Sequence, residues 1–205
     1  MTVTQALEKR RAIKAYDPGF VIPEKDIKTL FERTLLTPSS FNLQHWRFAA
    51  VVDSEVKSRL RDAAWGQRHV GDASLVVVMA GNPEAAESAA EVWGHLPESA
   101  RDKLVPQITG FYADDHQLQR DEAIRSVSLA AMSLMLVATE MGYATCPMIG
   151  FDPGKVAEIV RMPASWIPVM MITVGRGAGE PHPRAGQLRV EDVVSWNTFD
   201  GPSVS

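Results

Sequence analysis

Apolar and polar positions alternate along the chain with two periods, and the switches between them sketch its elements. Residues 4–11 suit a short helix with Val3 and Leu7 on one side, and Tyr16-Asp17-Pro18-Gly19 reads as a turn. Pro23 fits the first position of a new helix. There Ile27, Leu30, Phe31, Thr34 and Leu35 fall at i, i+3, i+4, i+7 and i+8, an amphipathic stripe that should stop before Pro38. Residues 48–53 are short, apolar and compatible with a strand, and residues 54–64 return to helical spacing through Val56, Leu60, Ala63 and Ala64. The unbroken apolar run of residues 74–81 (SLVVVMAG) predicts a strand buried on both faces.

Residues 82–119 are the least regular part, with Pro83, Gly94, Pro97, Pro106 and Gly110 among alanine-rich pieces, and predict short helices and a mobile cover. Residues 121–141 give the strongest helix signal. Ile124, Val127, Ala131, Leu134, Met135, Ala138 and Met141 form one face, and Ala130, Met132, Leu136 and Val137 carry apolarity most of the way round. Such a helix belongs in a core or a subunit interface, with Gly142 as its stop, and Arg125, Glu140 and interspersed serines argue against a membrane span. Asp152-Pro153 reads as an N-cap with proline at the first helical position, and residues 169–175 as a third buried strand. The pattern predicts one domain over residues 1–205, α/β or α+β, with residues 177–205 an extended C-terminal arm.

Composition narrows the function. The 205 residues carry 21 Lys and Arg against 25 Asp and Glu, a net charge of −4. That balance disfavours nucleic-acid binding, which needs a basic face. A single cysteine, Cys146, excludes an intrachain disulfide and a cysteine-based zinc site within one chain. The first residues, MTVTQALEKRR, hold no apolar stretch, and no apolar run approaches the roughly 20 residues that span a bilayer, so a cytoplasmic protein is expected. The five histidines are scattered without metal-ligand spacing, and no metal is expected. Neither a phosphate loop nor a G-x-S-x-G elbow occurs. The glycine run of residues 175–180 follows a strand, but Pro181 and Pro183 spoil the helix that a dinucleotide fold requires next.

Three clusters are more informative. Arg10, Arg11 and Lys14 lie within five positions beside a helix end, where they could grip a phosphate; a solvated basic helix end is the plainer reading. Residues 37–48 (TPSSFNLQHWRF) put hydroxyls and the amides Asn42 and Gln44 in one loop before a strand, donors and acceptors that suit the edge of a pyrimidine-like ring. A capped helix-to-strand connection explains the serines but not the amide pair. Residues 145–152 (TCPMIGFD) are a short apolar segment in which Gly150 permits close backbone approach to a flat ligand; a buried strand ending in an N-cap fits equally.

In order and in register, RRAIKAYDP, TPSSFNLQHWRF, GQRHVGDASLVVVMAG, CPMIGFDP and PVMMITVGR resemble the nitroreductase family of FMN-dependent oxidoreductases, most of all its small bacterial NAD(P)H-using members. The resemblance implies an α+β fold, a central mainly antiparallel sheet flanked by helices, in a homodimer with two FMN sites at the subunit interface. It implies that Arg10 and Arg11 grip the FMN phosphate and ribityl end, beside Ala12, and that Lys14 sits near the flavin N1/C2=O edge. Pro38, Ser39, Ser40 and Asn42 would come from the partner subunit, with Gln44 nearby, and Gln67 would reach the polar edge or ribityl chain. Pro147, Met148, Ile149 and Gly150 would lie against one ring face and offer backbone N–H to N5 and O4.

Two positions depart from the family pattern. Ala12 stands where many relatives have serine, and Gln187 where they have an arginine that reaches the phosphate, with Arg176, Arg184 and Arg189 as possible substitutes. Phe41, Phe111 and Tyr112 are candidates for the acceptor pocket, and residues 91–115 for its variable cover. Cys146 reads as a small buried hydrophobe rather than a redox thiol. The implied activity is ping-pong transfer of a hydride from NAD(P)H to a nitroaromatic, quinone or similar small-molecule electrophile, with no obligatory side-chain acid or base. The alternatives are a dehalogenase-like or ene-type reductase on the same scaffold, or a flavin-binding or storage protein with little turnover.

Overall fold

The apolar run from Leu75 forms strand β2 (Leu75–Gly81), and every residue of it is buried. The computed structural model, which describes residues 1–204, explains why. β2 lies inside a four-stranded sheet with β1 (Trp46–Val51), β3 (Ala144–Met148) and β4 (Ile167–Gly175), in the order β1-β2-β4-β3. All three pairings are antiparallel. Burial on both faces therefore comes from helices on both sides, not from a parallel sheet.

Alternate residues of the strands feed two cores, as the two-residue period of a strand requires. Leu75, Val77, Met79, Ile172 and Val174 pack under α2 (Glu24–Thr34) and α7 (His116–Glu140), against Leu30, Val127, Ala130 and Leu134. Val76, Val78, Met148 and Met171 face the other way, toward Leu60 of α3 (Ser54–Ala63), Val70 of α4 (Arg68–Asp72) and Val156 of α8 (Pro153–Ile159). Each fully buried aliphatic side chain contributes about 1.5–3 kcal/mol. A smaller cluster joins Leu43 to α5 (Ala89–Val92) and α6 (Glu98–Tyr112) through Ala89, Ile108 and Tyr112.

The caps follow local chemistry. Thr2 and Gln5 close a reciprocal capping box on α1 (Val3–Lys9), and Asp152 accepts from the Lys155 amide at the start of α8. Gly142, at φ +87°, ends α7 in the left-handed turn that returns the Tyr143 and Gly142 amides to the carbonyls of Ala138 and Thr139. By length and composition α7 could cross a membrane, but its apolar residues form the floor of the main core.

Four expectations need correction. Pro23 is the N-cap of α2, one position before the helix. The 82–119 region holds the 15-residue α6, whose apolar residues Leu104, Val105, Ile108 and Tyr112 follow helical spacing around Pro106 and Gly110. α7 begins at His116, because Asp115 caps it by accepting from the Leu118 amide. The arm carries one helical turn, α9 (Val190–Val193), and a bridge between Ser195 and Ser203.

Candidate functional site

The basic segment is held along the open edge of β3. The chain leaves α1 at Arg10 and becomes extended; Ala12 bridges Thr145 in parallel, and the Ile13 amide donates to the Thr145 carbonyl at 2.9 Å. Arg10, Arg11, Ala12 and Lys14 then line one side of a cleft of about 460 Å³, and residues 182–187 of the arm line the other. Gln187 is among these, so Arg10, Arg11, Ala12 and Gln187 line one cleft together with Lys14, the residue expected at the ring edge. Among the described residues, no ion pair engages Arg10, Arg11 or Lys14. The Arg10 Nε is buried and has no hydrogen-bond partner. A buried donor without an acceptor costs about 1–3 kcal/mol, which an anion in the cleft would recover.

The three C-terminal arginines have different destinations. Arg184 Nη2 donates to the carbonyls of Leu7, Glu8 and Arg10 at 3.0, 2.8 and 3.0 Å, capping the open end of α1. That clasp, with the bond from the Arg11 guanidinium to the His182 carbonyl, lays the arm across the cleft. Arg176 is drawn to Asp17 at 3.5 Å and sits 4.0 Å over the Phe20 ring, and it is not among the cleft's lining residues. Arg189 pairs with Asp192 at 3.3 Å.

The β3–α8 connection is the second element of the candidate site. Pro147 and Met148 end β3, Ile149 is 78% exposed, and Gly150 follows. Gln67 Nε2 donates to the Gly150 carbonyl at 2.8 Å, which joins two residues that the sequence reading assigned separately. The amides of Ile149 and Gly150 donate to no protein acceptor among the described residues. A Cβ at Gly150 would stand 3.2 Å from the Trp65 ring and 3.4 Å from Gln67 Nε2. Trp65 was missed by sequence reasoning; its signal was a large aromatic beside Gly66, and it is 71% exposed at φ +56°. Burial and, next, the Lys14 ammonium lower the His69 pKa, and His69 Nε2 is buried without a partner. Burial pushes the Cys146 thiol up while Lys14 pulls it back, so the thiol remains protonated, in keeping with a packing role.

The loop before β1 is of another kind. Ser39 Oγ accepts from the Gln44 amide at 2.9 Å, and Gln44 Nε2 donates to the Asn42 carbonyl at 3.2 Å. Phe41, Asn42 and Gln44 all hold positive φ, at 48°, 52° and 50°. Each costs about 1–2 kcal/mol for a residue with a Cβ. Contacts with the cover hold the strain in place: Tyr112 OH donates to Ser40 Oγ at 2.7 Å, and Trp93 Nε1 to the Phe41 carbonyl at 3.1 Å. Phe41, Phe111 and Tyr112 come together edge to face, with ring centroids 5.0–6.2 Å apart. Beneath them His45 meets Ser126 Oγ at 3.3 Å, and Ser126 donates to Glu122 at 2.9 Å.

Pro38, Ser39, Ser40, Asn42 and Gln44 do not join the cleft lined by Arg10 and Gln187 of their own chain. β1 and β3 are the two outer strands. The register places Trp46 beside Gly81, at one end of β2, and Ala144 beside Gly175, at the other. The loop and the Arg10 end of the cleft are thus separated by about 14 Å across the sheet and about 20 Å along it.

This fold and this cleft mark the chain as a member of the nitroreductase family, whose model, described as the nitroreductase family, matches residues 7–176. MhqN of Bacillus subtilis, provisionally named an NAD(P)H nitroreductase, is 37% identical over 94% of this chain and 98% of its own length. A Bacillus subtilis crystal structure, YdfN, provisionally described as a nitroreductase, superposes with a TM-score of 0.91 at 37% identity, covering 94% of this chain and 97% of that one. A structure from Exiguobacterium sibiricum in complex with FMN superposes with a TM-score of 0.89 at 28% identity, covering 96% and 97%.

Proposed function

We propose that the protein is a cytoplasmic, homodimeric, FMN-dependent oxidoreductase. It would take a hydride from NAD(P)H and reduce nitroaromatics, quinones or similar electrophiles by a ping-pong mechanism. The observation that carries the reading is the β3-edge cleft, which is cationic and contains a buried unpartnered Arg10 donor; just past the end of β3, the Ile149 and Gly150 amides donate to no acceptor among the described residues. Those features fit a ligand with a dianion at one end and a flat acceptor-bearing ring at the other. The name of MhqN and the FMN in the Exiguobacterium sibiricum structure support the same choice.

FMN, when bound, supplies the two-electron chemistry. Arg10 and Arg11 would hold its phosphate with Gln187 in place of the usual arginine, while Arg184, which also lines the cleft, positions the arm through its Nη2 bonds. Lys14 places a positive charge beside the ring's N1/C2=O edge, where it favours negative charge on reduction. Gln67 fixes the Gly150 carbonyl and so steadies the segment whose Ile149 and Gly150 amides would be offered to the ring. Pro38, Ser39, Ser40 and Asn42 reach the ring from the partner subunit, since their own chain holds them across the sheet. Phe41, Phe111 and Tyr112 wall the acceptor position, and solvent delivers the protons.

A visible spectrum of the purified protein, followed by anaerobic addition of NADH or NADPH, tests this. The expected result is a flavin spectrum that bleaches on addition and recovers with a quinone. Protein that stays colourless after reconstitution with FMN overturns the reading, and a bound flavin that neither nucleotide bleaches reduces it to a binding role.

A further inference from the structure

A second cavity, sharing no residue with the flavin cleft, lies on the α3/α8 face of the sheet. There Arg47 pairs with Ala80 and Ala49 with Val78 across β1 and β2, and the two small alanines leave a hollow of about 200 Å³ under residues 160–166. Its walls include Met162, Pro163 and the Trp166 indole, and its charged members among the described residues are Arg47 and Arg161. Neither arginine forms an ion pair among the described residues, although acidic residues outnumber basic ones in the chain. Arg47 lies 5.8 Å over the Trp166 ring and spends only Nη1 on the protein, on the Gln44 and Trp46 carbonyls.

Arg161 is placed against local preference. It follows α8 at φ +52°, in the left-handed turn in which the Met162 amide returns to the Ala157 carbonyl at 2.8 Å. Glycine is the ordinary residue there, and an arginine is disfavoured. The local fold does not call for a guanidinium at this position, and Arg161 lines the cavity.

We propose that this cavity binds a small aromatic monocarboxylate. Two guanidiniums without an ion-pair partner among the described residues would take the carboxylate through charge-assisted pairs. The indole and the Met162 thioether offer faces for one ring. The volume lies below the range of about 300–1,000 Å³ typical of drug-sized ligand pockets, which restricts the occupant to a single ring and excludes a nucleotide.

The test is calorimetric titration of the FMN-loaded protein with benzoate, with benzamide as the uncharged isostere and acetate as the anion without a ring. Benzoate should bind saturably and at least about tenfold more tightly than either control. Arg161→Gly should weaken benzoate about tenfold while the melting temperature stays equal or rises, because glycine relieves the left-handed backbone; Arg47→Gln should weaken it similarly. Benzoate binding that survives both substitutions belongs elsewhere in the molecule and overturns the proposal. So does equal binding of benzamide, or no binding at all.

Discussion

Along the β3 edge, the Arg10–Lys14 segment is clasped by β3 on one side and by the arm on the other, yet its cations find no carboxylate. Along the β1 edge, the Ser39–Gln44 loop ties the Ser39 and Gln44 side chains to its own backbone and bears three left-handed residues. The first edge is unstrained backbone with an unspent buried donor at Arg10 Nε; the second is strained backbone whose Gln44 side chain is spent locally. Unspent donors identify where a charged ligand is held. Strain held in place by neighbouring contacts identifies a surface whose shape matters to something outside the chain. The two edges lie on opposite sides of the sheet, and under the proposed function they are the two halves of one site assembled from two copies of the chain.

Breaking the first edge should give the largest effect. Arg10→Ala is expected to weaken FMN binding about 10- to 100-fold in fluorescence titrations, with little change in melting temperature, because the Arg10 Nε has no protein partner to lose. Arg184→Ala comes next. Removing a donor from three α1 carbonyls should loosen the arm and weaken FMN several-fold, at a stability cost of about 1 kcal/mol, whereas Arg189→Ala should change neither quantity. At the second edge, Asn42→Gly should stabilise the fold by about 0.5–1 kcal/mol in urea melts while lowering turnover, since it relieves φ +52° but frees the loop's shape.

The smallest effect is on pH. His45 is buried, and burial lowers its pKa, with Glu122 opposing and Arg47 assisting. The imidazole folds neutral, so stability should be level above about pH 6.5 and fall as pH drops below it, when only the unfolded chain gains the proton. Chemical denaturation of the wild type and His45→Gln between pH 7.5 and 5 should show the steeper loss in the wild type.

Much of this was legible in the chain. β2, α7 and the Asp152 cap are local statements about period and capping, and the folded protein keeps them. α6 was hidden because Pro106 and Gly110 interrupt a helical stripe that only the Leu43 cluster makes useful. The role of Arg184 was hidden because its acceptors lie more than 170 residues away. Trp65 was passed over because an exposed tryptophan has no period; only its contact with Gly150 gives it meaning. The family motifs assigned the flavin residues to two groups, but the separation of those groups across the sheet is a property of topology.

The central claim, a flavin site assembled from two copies, is met most directly by sedimentation velocity followed at a flavin wavelength. The account predicts that the flavin absorbance sediments with a species of twice the 22.5 kDa chain mass, and that this species is the one bleached by NAD(P)H. Flavin sedimenting with a single 22.5 kDa chain that still turns over would contradict it.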